Sequence, residues 1–379
     1  MKILFLTPWY PHRYDAMAGL FVRKHAQAVV RQGVDVGVMC RIITDKVEQD
    51  EIVEEEVDGV REIILYTKKS GFIAELLGIK KLWQYWSEQY DVPDVVHLNV
   101  LTKQGLLAWW LFKRYNIPYV ITEHWTGYLS ENGDYKGFLR KKLSAFIIKN
   151  ASVVMPVSNL LLNAMQCCGL YHENWQVVSN VVDDFFYTNT RSQVENYQKE
   201  KRFRFVHVSC FLNRAKNTLG IVEAVEQLSK QRNDFEMIMV GTGQDIFFTR
   251  CLSDNYKLES RGLIKFTGEQ TPEQVKEWMD ASDCFVLFSN YETAAVVLEE
   301  AAACGLPIIS TPVGVAEELI DNTTGTIVPV KNIKSLVEAM SAMIDNAEKY
   351  DSNKIKERAA KYSFDRVGHQ FVEIYRSQL

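Results

Sequence analysis

The chain has little of what marks membrane, metal-binding or nucleic-acid-binding proteins. None of its 379 residues belongs to an apolar run that approaches the length of a bilayer-spanning helix. Its 7 cysteines show no paired Cys-x-x-Cys spacing, so no structural metal site is indicated. The Asp-x-Asp pair that holds a divalent ion on a diphosphate is missing. A net charge of -5 excludes the basic signature of nucleic-acid binding.

Two further features of the sequence indicate the cellular compartment. The apolar start at residues 1–7 is too short for a signal-peptide core, and Pro8 and Pro11 follow at once, so we expect a first strand there. Four cysteines lie in or beside apolar runs and are expected in the core of a protein from a reducing compartment: Cys40, Cys210, Cys284 and Cys304. A cytoplasmic protein is the resulting expectation.

Short apolar runs rich in β-branched residues alternate with helical patterns along the whole chain. We predict strands at 3–7, 34–40, 62–66, 95–98, 119–122, 152–157, 176–179, 204–208, 236–240, 263–267, 284–288, 307–310 and 325–328. In the first half, helices are predicted at 20–31, 74–89, 103–114, 137–149 and 159–167. This alternation indicates parallel sheets covered on both faces, that is, two doubly wound, Rossmann-like α/β domains. We predict them at 1–184 and 203–362, joined by a polar linker at 185–202.

Two glutamates stand out in the second predicted domain. Glu292 follows the strand at 284–288, and Glu300 is separated from it by seven residues, in a helix that ends before Gly305-Leu-Pro. In an open α/β sheet, ligands bind where strands end and helices begin. On the helix, Glu300 is expected at the flank of an apolar stripe formed by Val297, Ala301 and Cys304, with Glu299 turned toward water.

This Glu-x7-Glu segment resembles that of retaining glycosyltransferases of family 4, which have the GT-B fold. The resemblance covers nearly the whole chain. It implies two domains that face a cleft, with the C-terminal helix at 363–379 crossing back to the first domain. It also implies transfer of a sugar from a nucleotide-sugar donor, with Glu300 holding the ribose and Glu292 contacting the donor sugar.

Other motifs match the same family. Lys216 matches a lysine that binds the donor diphosphate, and Arg214 could replace the usual second cation, because residue 211 is Phe. His124 matches a histidine placed against the donor sugar, although a structural role is an alternative. Gly19, in a strand–helix loop, is expected to face the diphosphate, since backbone amides at a helix start favour anions; a plain turn is equally compatible.

The remaining donor contacts are expected from backbone. Gly241 and Gly243 match a glycine turn under the nucleotide, although a loop requirement also explains them. Thr293, Ala294, Ala295 and Val296 stand where many relatives have Gly or Ser followed by Phe-Gly, and we expect them to bring amides to the donor with ordinary φ values. Val315 replaces a second family glycine. These departures, with Phe211, keep a catalytically silent nucleotide-sugar-binding scaffold open as an alternative, and a GT-B epimerase is another.

The acceptor is the least defined partner. The resemblance implies a hydroxyl of a glycan, lipid-linked or small-molecule acceptor, bound by loops at 9–19, 68–74 and 125–136. Residues 135–149 mix a basic cluster with apolar positions; they form either a packed helix with extended lysines or a contact with an anionic membrane. Without an Asp-x-Asp pair, no obligatory metal cofactor is expected.

Overall fold

The computed structural model describes residues 1–188 and 202–379, and the chain divides into two compact units. Unit 1 comprises Met1–Val181 and Phe364–Leu379, and unit 2 comprises Val182–Ser363. The predicted linker at 185–202 overlaps a 3-10 turn at Asp184–Tyr187, whose Phe186 is buried in the core of unit 2. The part of that prediction at 189–201 lies outside the described residues.

Unit 1 is built on one seven-stranded sheet with helices between the strands. The strands are Lys2–Thr7 (β1), Asp35–Ile43 (β2), Glu51–Val57 (β3), Val60–Thr67 (β4), Val95–Asn99 (β5), Tyr119–Glu123 (β6) and Val153–Pro156 (β7). The helices are Leu20–Val30 (α1), Phe72–Gln89 (α2), Gly105–Tyr115 (α3), Phe138–Asn150 (α4), Asn159–Cys167 (α5) and, from the chain end, Phe364–Arg376 (α14). The strand order β3-β4-β2-β1-β5-β6-β7 reverses direction between β1 and β5, which is the switch point of a doubly wound sheet.

The antiparallel edge strand β3 is absent from the sequence-based prediction. Its sequence Glu-Ile-Val-Glu-Glu-Glu-Val is too acidic to stand out as an apolar run, since β3 lies at the edge of the sheet and its residues 54–56 are exposed. The signal that could have revealed it is Asp58-Gly59, a two-residue hairpin connection. Both residues have positive φ, 50° and 77°, as the tight β3–β4 turn requires.

Unit 2 repeats the doubly wound pattern with six parallel strands. The strands are Phe203–Val208 (β8), Phe235–Val240 (β9), Ile264–Gly268 (β10), Cys284–Leu287 (β11), Ile308–Ser310 (β12) and Gly325–Ile327 (β13). The helices are Asn213–Lys216 (α6), Thr218–Ser229 (α7), Ile246–Asn255 (α8), Pro272–Asp280 (α9), Val296–Ala303 (α10), Ala316–Leu319 (α11), Ile333–Asp345 (α12) and Ser352–Ala359 (α13). The order β10-β9-β8-β11-β12-β13 places the switch point between β8 and β11.

The C-terminal helix α14 packs on α1 within unit 1. Its apolar side chains join the same core as β1 and β2, and Phe371 lies 4.9 Å from the His25 ring, centroid to centroid. The Tyr375 hydroxyl is 2.6 Å from His97 Nδ1. The apolar face of α14 thus forms part of the unit 1 core.

Two local predictions are wrong. Residues 176–179 form no strand: Gln176 N–H donates to Val154 O over 3.0 Å, but the segment makes only an isolated bridge at Trp175. Cys210 is exposed, because β8 ends two residues earlier and the chain turns outward, whereas Cys40, Cys284 and Cys304 are buried as expected. Within residues 1–188 and 202–379, no helix is both long enough and apolar enough to cross a membrane.

Candidate functional site

The carboxyl ends of β8 and β11 form the centre of the candidate site, because these neighbouring strands flank the switch point of unit 2. Lys216 ends α6, which follows β8, and Glu292 lies in the loop after β11. Lys216 Nζ donates a hydrogen bond to Glu292 Oε1, and Ser289 Oγ donates to the same oxygen over 3.0 Å. Side chains 76 positions apart in sequence are therefore joined in one ion pair.

Burial and charge act in opposite directions on this lysine. The side chains of Lys216 and Glu292 are only 17% and 13% exposed. Burial disfavours the ammonium, but the Glu292 carboxylate favours it through its charge and its hydrogen bond, and the pKa of Lys216 is raised. Lys216 is therefore a cation at neutral pH.

Backbone and side-chain hydrogen bonds fix the two loops that present this pair. Asn290 N–H donates to Ala215 O over 2.6 Å, and Asn290 Nδ2 donates to Arg214 O over 2.9 Å. Thr311 Oγ1 donates to Ser289 O over 2.6 Å from the loop after β12. The ion pair is thus placed by its supporting loops and does not depend only on its own attraction.

Gly241 and Gly243 lie against the loop after β8. A Cβ on Gly241 would stand 2.0 Å from Ser209 O, and one on Gly243 would stand 2.0 Å from Cys210 O. Asp245 N–H donates to Phe211 O over 2.9 Å, which ties the same two loops together. The two glycines are required for this packing, whatever ligand the loop meets.

The residue that replaces the usual arginine has a structural role. Phe211 has φ 33° and is fully buried, and its ring lies 6.3 Å from that of Phe266 in the unit 2 core. Position 211 therefore presents no side chain to the surface. Arg214 is exposed on α6, two residues before Lys216.

Helix α10 corrects the expected orientation of one glutamate. Glu299 is fully buried and does not face water, whereas Glu300 is partly exposed. The prediction was wrong because α10 is covered on a second side by α13 and by the turn at Asp184–Tyr187. Burial, and then the Glu299 charge, raise the pKa of Tyr187 and Tyr362 in that layer.

The segment before α10 also departs from expectation. Thr293, Ala294 and Ala295 are buried, and Val296 is partly buried. Ala295 caps α10 with φ 59° and ψ 55°, so the expectation of ordinary φ values is wrong. Val315 N–H donates to Ala294 O over 3.0 Å, which holds the segment in this left-handed turn. The turn that glycine favours is kept although the residue has changed.

Gly19 and His124 both belong to unit 1. Gly19 precedes α1, and His124, which follows β6, packs against the first turn of that helix. Gly19 is the N-cap of α1 with φ 61°, and a Cβ there would stand 2.3 Å from Trp9 O. The His124 ring lies 4.3 Å from the Phe21 ring and 5.5 Å from that of His25. Unit 1 brings these two predicted residues to one region, whereas the other predicted site residues belong to unit 2.

A buried histidine cluster surrounds His124. Burial, and then the charges of His25 and His97, hold the pKa of His124 well below its ordinary value, and burial lowers the pKa of His25 to about 4. His97 Nε2 is 2.6 Å from Thr122 Oγ1. These rings are neutral at pH 7. Sequence reasoning missed His25, although its position in the apolar stripe of α1 was visible.

Glu123 is a second missed residue. Its buried carboxylate accepts hydrogen bonds from the N–H groups of Leu101, His124 and Trp125 over 2.8–2.9 Å and from Tyr128 Oη over 3.2 Å. Burial raises its pKa despite these donors. The carboxylate thus joins the loops after β5 and β6. A charged residue at the end of a buried strand was the available signal.

Two compact units, each built on a doubly wound α/β sheet, describe the GT-B class. A structure of Anabaena HepE in complex with UDP has this fold, with a TM-score of 0.76, 19% identity and coverage of 100% of both chains. N-acetyl-alpha-D-glucosaminyl L-malate synthase of Bacillus anthracis is 26% identical over 76% of this chain and 75% of its own. The putative teichuronic acid biosynthesis glycosyltransferase TuaC of Bacillus subtilis is 24% identical over 90% of this chain and 88% of its own.

The sequence profiles name the family. The profile "Glycosyltransferase Family 4" matches residues 18–184, and the profile "Glycosyl transferases group 1" matches residues 188–362. The chain belongs to glycosyltransferase family 4 and is a glycosyltransferase.

Proposed function

We propose that this enzyme moves a sugar from a nucleotide-sugar donor to an acceptor hydroxyl, with retention at the anomeric carbon and without an obligatory metal. The observation that supports this most is the Lys216–Glu292 pair at the switch point of unit 2. A cation held in a largely buried site stabilises the charge that develops on a departing diphosphate. HepE, which shares the fold, is described in complex with UDP.

Each residue then has a stated task. Lys216 and the amides after β8 bind the diphosphate, with Arg214 as a second cation and Gly241 and Gly243 shaping the loop. Glu292 contacts the donor sugar, Glu300 holds the ribose hydroxyls, and the amides of 293–296 approach the donor. In unit 1, neutral His124 hydrogen-bonds a sugar hydroxyl, and Gly19 presents amides to phosphate.

The bond changes balance without a protein nucleophile. The bond from the anomeric carbon to the diphosphate oxygen breaks, and a bond to the acceptor oxygen forms on the same face of the sugar. The acceptor proton passes to the departing diphosphate oxygen. We place the reaction in the cytoplasm, which agrees with seven free cysteines.

A donor screen tests the proposal. UDP-, GDP- and ADP-sugars are incubated with the enzyme and glycan or lipid-linked acceptors, with and without EDTA, and nucleoside diphosphate release is measured. We expect nucleoside diphosphate release from sugars of one of these nucleotides. EDTA should not change its rate, and the product should keep the anomeric configuration of the donor. Inversion or loss of activity with EDTA contradicts those parts of the proposal. Donor binding without release favours a silent scaffold, and conversion without acceptor favours an epimerase.

A further inference from the structure

Unit 1 has its own pocket at the switch point of its sheet. The pocket has a volume of about 550 Å³ and is lined by residues that follow β1, β5 and β6, among them Trp9, Val100 and Trp125. Ligands of open α/β sheets bind at this position, and the volume falls within the ordinary range for ligand pockets. All of its lining residues belong to unit 1.

The lining is mainly apolar and aromatic. Val100, Tyr128 and Ile147 are at most 4% exposed, so the inner surface is fixed by the core. At the rim, Phe72 and Leu139 are 54% and 80% exposed. A pocket of this kind favours a hydrocarbon over a free sugar, because each buried methylene contributes about 0.8 kcal/mol.

Apolar surface continues beyond the pocket. Ile73 and Leu77 on α2 and Phe138 on α4 are 73%, 60% and 69% exposed. Isolated exposed apolar residues are ordinary, but a group that extends from an apolar pocket indicates a ligand longer than the pocket. A hydrocarbon chain fits this arrangement.

The charged residues of the pocket indicate which chemical group the ligand has at the end of its hydrocarbon chain. Helix α4 has four basic residues and no acidic one, and the first of them, Arg140, lines the pocket. Its guanidinium lies 5.2 Å from the Trp125 ring. Lys103, also in the lining, is paired with Glu75 over 2.6 Å, so the lining as a whole has a net positive charge. A phosphate group complements it.

We infer that this pocket binds the hydrocarbon chain of a phosphate-bearing, lipid-linked acceptor, with the phosphate against Arg140. The inference rests on the proposed transferase function and names its acceptor class. The three loop regions that the sequence assigns to the acceptor all contribute, through Trp9, Phe72 and Trp125. The chain enters the apolar pocket, and the acceptor hydroxyl is presented from the phosphate end.

Titration calorimetry of the full chain tests this inference with monomeric decyl phosphate, decyl glucoside and inorganic phosphate. Decyl phosphate is expected to bind about tenfold more tightly than either partial ligand. Leu139→Glu should weaken its binding about tenfold or more, because it removes apolar contact and repels phosphate. Leu379→Glu is the matched control, because Leu379 is 69% exposed and belongs neither to the lining nor to the apolar surface on α2 and α4; it should change affinity less than about twofold. Arg140→Gln should weaken decyl phosphate binding but leave decyl glucoside binding unchanged.

Three outcomes overturn the inference. Equal affinities for inorganic phosphate and decyl phosphate would remove the apolar subsite, and so would equal effects of the two leucine variants. Binding to phosphatidylglycerol vesicles without binding to monomeric decyl phosphate would identify a membrane-docking surface instead. UDP, GDP and ADP are titrated into the same samples to separate the two proposals. If decyl phosphate binds but no nucleoside diphosphate does, the proposed transferase function is contradicted. If a nucleoside diphosphate binds but decyl phosphate does not, the inference about the pocket is contradicted.

Discussion

The two sheets share one doubly wound strand order but differ in the chemistry at their switch points. In unit 2, the strand ends present the Lys216–Glu292 ion pair and a glycine-shaped loop. In unit 1, they present an apolar pocket and the neutral ring of His124. The position of a site follows from strand order, whereas its ligand is decided by the residues after each strand. The difference supports our proposals that the charged diphosphate binds to unit 2 and the acceptor to unit 1.

The largest effect is expected when the cation of unit 2 is removed. Lys216→Met should reduce kcat for nucleoside diphosphate release by about 100- to 1,000-fold, since the leaving group loses its charged partner. Steady-state kinetics with the donor found in the screen measures this. Lys230→Met, at an exposed lysine near the end of α7, is the control and should leave kcat unchanged. Equal kcat values for wild type and Lys216→Met would remove the diphosphate role.

Substitutions of the two adjacent glutamates of α10 should change different properties, donor binding in one case and stability in the other. Glu300→Ala should weaken donor binding by about 1.5–3 kcal/mol, the range for hydrogen bonds to a charged group, with little change in Tm. Glu299→Ala should instead lower the free energy of unfolding by about 1–3 kcal/mol, because Glu299 is buried, and leave donor affinity unchanged. Calorimetry and urea denaturation measure the two quantities. The opposite pattern would show that the assignments are exchanged.

Acid should destabilise unit 1 through its histidines. The pKa of His25 is about 4 in the folded protein and about 6.5 when unfolded, so its neutral ring stabilises above pH 6.5 and this stabilisation is lost as pH falls toward 4. Between pH 7 and 5 the loss from this group is about 2 kcal/mol.

The variant His25→Gln separates the contribution of His25 to the free energy of unfolding from that of Glu123. The two are opposite in sign, because the raised pKa of Glu123 favours the folded state at low pH. Urea denaturation at pH 7 and 5 should show a loss smaller by about 2 kcal/mol in His25→Gln. Seven of the 8 tryptophans belong to unit 1, so their fluorescence reports on it. His369→Gln, at an exposed site on α14, should behave as wild type. An unchanged loss in His25→Gln would contradict the assignment.

The smallest effect concerns the turn before α10. Ala295→Gly should raise the free energy of unfolding by about 0.5–1 kcal/mol, because it relieves a left-handed conformation that costs an alanine about 1–2 kcal/mol. Ala301→Gly, in the right-handed interior of the same helix, should lower it by about 1 kcal/mol. Chemical denaturation measures both changes. Destabilisation of similar size in both variants would contradict the strained turn.

The parts of the fold that could be predicted are those with a periodic apolar signal. Helix α5 was predicted at its observed bounds, and β1, β5 and β6 to within one residue. Strand β3 was missed because an acidic edge strand has no apolar run, and Glu299 was misplaced because a helix pattern does not show what covers its second side.

The site was predictable only as separate motifs. The sequence placed Lys216 and Glu292 after strands, and the strand order then joined them. The positive φ of Ala295 and the burial of Phe211 could not be predicted, since both depend on contacts with residues distant in sequence. The donor-contact roles of the named residues stay predictions.

Hydrogen exchange with and without ligand tests most directly the division of tasks between the two switch points. Saturating UDP, GDP or ADP, whichever binds, should protect amides at 209–217 and 292–297 in unit 2, and decyl phosphate should protect those at 100–104 and 125–128 in unit 1. Protection of the unit 1 segments by the nucleoside diphosphate, with none at 209–217, would contradict the account.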